Sequence, residues 1–321
     1  MIGIGIEQYG DERQLTTIHI PTEQVGPEDL LISVKASGVN PVDWKVREGY
    51  LKKDFPYELP LILGWDGAGK VTAIGANVEG YKVGDDVFFR PEMEKHGTYV
   101  DEIVVPANLV APLPQGLTYV EAASLPLVGL TSWQALVEVG NVQPGDNVLI
   151  LAGSGGVGSF AIQLAKALGA YVATTASSKN NDFVHDLGVD EVLAYDLGSI
   201  DTTTQFNFML DTIGGSAYGD ALKLMKQNSK VATIISERDA IKFDYVKNLE
   251  VERKLIVEFV FTRPDGRNLN HIRELVEVKK VKPVVTEIYP LTIDGVKKAQ
   301  KSSQTGRTRG KIVLSSSCCC I

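Results

Sequence analysis

Two kinds of hydrophobic periodicity divide the chain. Up to about Thr118, apolar and polar residues alternate in short stretches such as Leu30 to Ala36, and Gly and Asp mark turns such as Val83 to Asp86. This is the signature of a β-rich module. After Glu121 the pattern lengthens. It predicts a helix over Val128 to Val139, a turn at Gln143 to Asn147, an apolar strand Val148 to Ala152, a glycine-rich loop, a helix Phe160 to Leu168 and a strand Tyr171 to Ala176. Strand, helix and strand in succession imply parallel pairing with a right-handed crossover. Further strands are expected at Glu191 to Ala194, Phe206 to Asp211 and Val231 to Ile235, separated by helical stretches such as Ala217 to Met225. The region from about 126 to 261 therefore reads as an α/β doubly wound parallel sheet.

Beyond Thr262 the pattern predicts an amphipathic helix Leu269 to Glu277, a strand Val284 to Tyr289, a short helix Ile293 to Lys301 and a last strand Lys311 to Leu314. A sheet that already has its units has no place for these, so they are expected to rejoin the N-terminal module. The expected organisation is one discontinuous substrate module, 1–125 plus 262–321, with a dinucleotide-binding domain, 126–261, inserted in it. Leu255 to Phe261 is an apolar strand that would be an aggregation hazard if left uncovered.

A length of 321 residues agrees with two domains. The balance of 32 basic against 40 acidic residues gives a net charge of −8 without any basic block, which argues against nucleic acid as a partner. No apolar run approaches the roughly 20 residues of a membrane span, and no leader-like segment opens the chain, so a cytoplasmic protein is expected. The three cysteines, Cys318, Cys319 and Cys320, stand together beside Ile321. They leave neither a disulfide framework nor a cysteine-bound metal for the body of the protein. Cys318 to Ile321 has the form of a prenylation box, but Ile is not a usual last residue and no polybasic segment precedes it. A membrane partner is expected only if that tail is lipidated. His19, His96, His185 and His271 are scattered singly, so no metal site is expected.

Gly153, Gly155 and Gly158, with Gly156 and Val157 between them, fit G-x-G-x-x-G between a predicted strand and a predicted helix. That context points to a pyrophosphate against backbone N–H groups at a helix start. An NAD-specific fold places an acid at the end of the next strand, whereas here Ser177, Ser178 and Lys179 follow Ala176 and the first acid is Asp182. One acid 4 Å from a 2′-phosphate would oppose it by ~4 kcal/mol per unit charge at an effective dielectric of 20. Its absence, with hydroxyls and Lys179 in its place, favours NADPH; a merely solvated loop is the plainer explanation.

Ser37 to Lys45 (Ser-Gly-Val-Asn-Pro-Val-Asp-Trp-Lys), Leu63 to Val71 (Leu-Gly-Trp-Asp-Gly-Ala-Gly-Lys-Val), the glycine loop, Gly129 to Trp133 (Gly-Leu-Thr-Ser-Trp) and Gly310 to Leu314 (Gly-Lys-Ile-Val-Leu) occur in this order. Together they resemble the medium-chain dehydrogenase/reductase superfamily, most closely its zinc-free quinone oxidoreductase branch. The resemblance spans nearly the whole chain and implies a Rossmann domain inserted in a GroES-like catalytic domain. The zinc alcohol dehydrogenases of that superfamily carry a zinc-binding Cys where this chain has Asn40, and Gly-His-Glu where it has Gly64, Trp65 and Asp66. Without those ligands no Lewis acid is available for an alkoxide.

The resemblance further implies a homodimer paired through Leu255 to Phe261, with an internal packed strand as the alternative, and roles for single residues. Asn40 corresponds to an asparagine lining the nicotinamide and substrate cleft, although Asn40, Pro41 and Asp43 also read as a plain helix start. Lys45 falls where some relatives have a substrate-facing Tyr and would stabilise oxyanion charge, or else is an exposed helix lysine. Thr131 resembles a threonine that contacts the nicotinamide carboxamide, or else caps a helix or packs. Asp211 lies at the carboxyl edge of its strand, Tyr195 resembles a residue flanking the 2′-phosphate, and Arg309 and Lys311 are basic residues that reach toward the cofactor or stand exposed beside a strand. The leading expectation is NADPH-dependent reduction of quinones by hydride transfer without a metal. An alkenal or enone reductase and an NADPH-binding redox sensor or scaffold are the alternatives.

Overall fold

The computed structural model describes residues 1–21, 23–198, 200–236 and 244–316. The tail Cys318 to Ile321, and with it the prenylation question, lies outside the described residues. The chain divides into two compact units. One comprises Met1–Leu130, Arg263–Lys279 and the segment from Pro283 onward; the other comprises Thr131–Thr262 with Lys280–Lys282.

The second unit is built on six parallel strands in the spatial order Glu191–Ala194, Tyr171–Ala176, Asn147–Ile150, Phe206–Asp211, Met225–Thr233, Ile256–Phe259. Chain order runs one way from Asn147–Ile150 and the other way from Phe206–Asp211, so the switch point of a doubly wound sheet lies between these two neighbours. Val148, Leu149, Ile150, Phe208, Met209 and Leu210 are all buried there, as strands covered on both faces require. Several boundaries differ from the sequence pattern. The helix expected over Ala217 to Met225 is Gly215–Leu222, because Met225 already pairs with Phe206 and opens a longer strand. Pro126–Trp133 is α-helical and continues as a π-helical stretch, Gln134–Val139, so Thr131 lies inside a helix rather than at its start. Ile256–Phe259 bonds only to Met225–Thr233 among the described residues, and its four residues are exposed. Among the described residues it is therefore an edge strand and not an internal one.

The first unit holds a seven-stranded sheet and a three-stranded one. Its longest strand, Asp29–Val39, alternates buried and half-buried positions and then becomes wholly buried at Ser37–Val39. Three strands pair with it: Glu102–Pro106 along its first half, Gly67–Ile74 along most of its length, and Lys311–Ser315 at its end. Val285–Pro290 lies parallel to Lys311–Ser315 on the outer side. The helix Gly266–Glu277 is capped by Asp265, whose carboxylate accepts from the Arg267 and Asn268 N–H groups, and buries Leu269, Ile272 and Val276 at helical spacing.

Candidate functional site

Strand register brings three distant side chains together in the first unit. Ile312 lies opposite Val39 in an antiparallel pair, which sets Lys311 against Asn40. Ser37 lies opposite Gly67, which sets Asp66 beside Gly38, and the Gly38 N–H donates to the Asp66 carbonyl at 3.1 Å. The Lys311 ammonium donates to the Asn40 Oδ1, to the Val39 carbonyl at 3.1 Å and to Asp66 Oδ2 at 3.2 Å. Asn40 Nδ2 donates to the same Asp66 oxygen at 2.8 Å. A lysine can only donate and a carboxylate only accept, so this pair fixes which way the Asn40 amide faces. The other Asp66 oxygen accepts from the Leu127 N–H at 2.7 Å, at the start of the Pro126–Trp133 helix. Asp66 is wholly buried, Asn40 is 1% exposed and Lys311 5%.

This arrangement corrects one sequence expectation and extends another. Lys311 is not an exposed charge beside a strand; its ammonium belongs to a buried ion pair with Asp66. Asn40 does precede a helix, Pro41–Arg47, and the Asp43 carboxylate accepts from its backbone N–H at 2.8 Å. Its side chain, however, is held by Asp66 and Lys311. Asp43 also accepts from the Tyr99 hydroxyl at 2.6 Å. Burial pushes the Asp43 carboxyl up to about 7, against the pull of those two donors. Arg90, 2% exposed, donates to the Trp65 carbonyl at 3.2 Å; burial lowers its guanidinium from its ordinary value, while Asp66 and Asp43 act in the opposite sense. Lys45 is half-buried on the same helix, with its ammonium 5.9 Å from the centre of the Trp44 ring. Among the described residues no three His, Cys, Asp or Glu side chains converge as a metal ligand set.

The second unit carries the glycine loop between Asn147–Ile150, at the switch point, and the helix Gly156–Ala167. A Cβ on Gly153 would overlap the Thr174 hydroxyl, and one on Gly158 would overlap the Ala152 carbonyl and crowd the Gly153 Cα, whereas one on Gly155 would only reach the Ala152 carbonyl at 3.4 Å. The outer glycines are therefore required by close packing. The middle one keeps the approach to the helix start open, where first-turn N–H groups lack intrahelical acceptors. Gly156, Val157 and Gly158 lie in that turn, and the loop as a whole fits a pyrophosphate.

The remaining expected residues are distributed unevenly. Ser177 is buried and Lys179 exposed just past the end of Tyr171–Ala176, and Tyr195 is 57% exposed past the neighbouring strand. The Thr131 hydroxyl, 2% exposed, shares a 2.6 Å hydrogen bond with that of Thr262. Asp211 does end its strand, but its carboxylate accepts from the Ile213 and Gly214 N–H groups at 3.0 and 2.8 Å and from the Thr233 hydroxyl at 2.8 Å. It shapes the turn after the strand, and its charge faces protein donors. Arg309 is exposed and, like Lys311, belongs to the first unit. Two residues escaped sequence reasoning as site members. Asp66 was visible only as a departure within Gly64-Trp65-Asp66, and Asp196, whose carboxylate holds Ser178, had no local signal at all.

Known proteins agree with this architecture. An alcohol dehydrogenase GroES-like domain family matches residues 26–115, and a family described as zinc-binding dehydrogenase matches residues 187–314. A mitochondrial NAD(P)H oxidoreductase of Bos taurus is 34% identical over 349 aligned positions that cover 96% of this chain and 87% of that protein. The chain belongs to the medium-chain dehydrogenase/reductase superfamily. Within the superfamily, a 2-methylene-furan-3-one reductase of Solanum lycopersicum is 30% identical, covering 92% of this chain and 74% of its own length. The solved quinone oxidoreductase of Coxiella burnetii superposes with a TM-score of 0.88 at 29% identity over 99% of both chains. The doubly wound sheet and the β-rich unit are thus the two folds expected of a superfamily member. Among the described residues no helix is long and apolar enough to cross a membrane.

Proposed function

We propose that this superfamily member is an NADPH-dependent reductase that transfers hydride to a quinone without a metal. The observation that carries the proposal is the buried Asn40, Asp66 and Lys311 cluster. In the zinc-dependent branch the positions of Asn40 and Trp65 carry a cysteine and a histidine, whereas here a lysine ammonium bonds to Asn40 and Asp66, beside a wholly buried Trp65. An amide and an indole cannot replace thiolate and imidazole as ligands.

When bound, NADPH supplies the hydride. Gly153, Gly155, Gly156, Val157 and Gly158 hold its pyrophosphate, Ser177, Lys179 and Tyr195 flank the 2′-phosphate, and Arg309 adds positive charge. Thr131 holds the carboxamide with the hydroxyl it shares with Thr262, and Asp211 positions the turn at the strand end. On the acceptor side, reduction builds negative charge on an oxygen. Asn40 has one Nδ2 hydrogen beyond the one given to Asp66, and its direction is set by the clamp on the amide. Lys45 supplies the positive charge that stabilises the oxyanion. An α,β-unsaturated ketone or aldehyde meets the same requirements, and the similarity to a 2-methylene-furan-3-one reductase favours it as the second substrate class.

The test is the loss of NADPH absorbance against a panel of quinones, enals, enones and simple alcohols, with metal content measured on the same sample. Quinone reduction that survives EDTA is expected. Zinc-dependent ethanol oxidation overturns the metal-free assignment; tight NADPH binding with no acceptor reduced overturns the enzyme and leaves the sensor or scaffold. A homodimer paired through Ile256–Phe259 and a cytoplasmic location belong to the same proposal, and light scattering and cell fractionation check them.

A further inference from the structure

The end of the strand Tyr171–Ala176 is where a doubly wound fold reads the 2′-position of the adenosine ribose. The donors there are the Ser178 N–H, the Ser177 and Ser178 hydroxyls and the Lys179 ammonium. Lack of an acid in this segment is what favoured NADPH from the sequence. The sheet nevertheless delivers one from the neighbouring strand. Ala176 lies opposite Ala194 in the parallel pair, so Ser178 and Asp196 follow side by side. Asp196 Oδ1 accepts from the Ser178 N–H at 2.7 Å and Oδ2 from the Ser178 hydroxyl at 2.8 Å. The hydrogen bonds from Ser178, with the charge of Lys179, hold the Asp196 carboxyl below its ordinary range, so it stays ionised. Two of the donors a phosphate would use are thereby engaged by a fixed anion of the protein.

Resting on the NADPH assignment above, we propose that Asp196 is a specificity-determining residue for the cofactor: it competes with the 2′-phosphate for the Ser178 donors and lets the enzyme use NADH alongside NADPH. Two features act in opposite directions. Lys179 attracts the phosphate; Asp196 repels it, and as an acid beside the adenosine end it suits the free ribose hydroxyls of NADH. Neither alone sets the preference, which follows from their ratio.

The experiment is titration of the intact protein and of D196N with NADPH and with NADH, reading dissociation constants from cofactor fluorescence so that no acceptor is needed. Asn keeps an acceptor for the Ser178 N–H and removes the charge at an exposed position. The NADPH to NADH affinity ratio is expected to rise roughly fivefold, the scale of an exposed charge interaction, and the gain to shrink in high salt. A ratio that stays unchanged or moves toward NADH overturns the proposal and makes Asp196 a structural clamp of the Ser178 turn. D196S, which removes the carboxylate while keeping a hydroxyl, must move the ratio the same way. Failure of the unmodified protein to bind either nucleotide overturns the cofactor assignment itself, a result distinct from an unchanged ratio.

Discussion

The two units build their candidate functional residues in opposite ways. The glycine loop draws its function from contiguous residues, Gly153 to Gly158, and from backbone N–H groups that any sequence with the right glycines would present. The Asn40, Asp66 and Lys311 cluster draws its function from side chains whose partners lie as far as 271 residues apart, on strand ends aligned by register. Backbone recognition tolerates change in everything except bulk. Side-chain recognition in a buried site tolerates little, because an ion pair out of water needs every partner.

Removing one partner of the buried pair sharpens this contrast most. K311M leaves the Asp66 carboxylate buried without its ion-pair partner, still bonded by the Asn40 amide and the Leu127 N–H, and a loss of about 3–5 kcal/mol in unfolding free energy is expected from denaturant titration. The double variant D66N/K311M should recover part of it, since the orphaned charge is gone. If K311M is as stable as the parent, the cluster is not the structural centre described above.

Asp43, in the same region, makes a pH prediction. Its folded carboxyl sits near 7, above the unfolded value of 3.8. Between about pH 4 and 7 the unfolded chain therefore binds fewer protons than the native one, and stability contributed by the protonated acid falls as pH rises through that window. The decline is on the order of a few kcal/mol. D43N should flatten it, and an unchanged slope of unfolding free energy against pH would refute the assignment.

The glycine loop breaks by bulk. G158V forces a side chain into the Ala152 carbonyl. It is expected to cost about 1–3 kcal/mol of stability through overpacking and to weaken NADPH and NADH alike, because both carry the pyrophosphate. The smallest effect is at Lys179. K179E should weaken NADPH by about fivefold and leave NADH nearly unchanged; equal losses would remove Lys179 from the phosphate site.

The contrast between the units also explains what was legible before folding. Helix and strand order in the second unit followed from periodicity, since each unit of a doubly wound sheet is local and its core strands are continuous apolar runs. Boundaries shifted where tertiary pairing overrode local preference, as at Met225, which pairs with Phe206 instead of ending a helix. Asp211 looked like a cofactor residue from its place at a strand end, but the turn after it offered two N–H groups closer at hand. Lys311 read as a cation reaching toward the cofactor or standing exposed, because nothing in Gly310 to Leu314 shows that Asn40 and Asp66 lie across the sheet.

Composition and motif order alone determine that this chain carries a dinucleotide loop, a β-rich partner module and too few thiols in its body for a cysteine-bound zinc, because those properties reside in residue type and short-range spacing. Tertiary structure alone decides that Lys311 is buried with Asp66, that the Asn40 amide faces one way, and that Asp196 stands beside Ser178 despite a separation of 18 residues. The physical reason is the same in each case. Strand register, set by the packing of whole sheets, determines which side chains meet, and charge interactions strong enough to matter act only over the few ångströms that register controls.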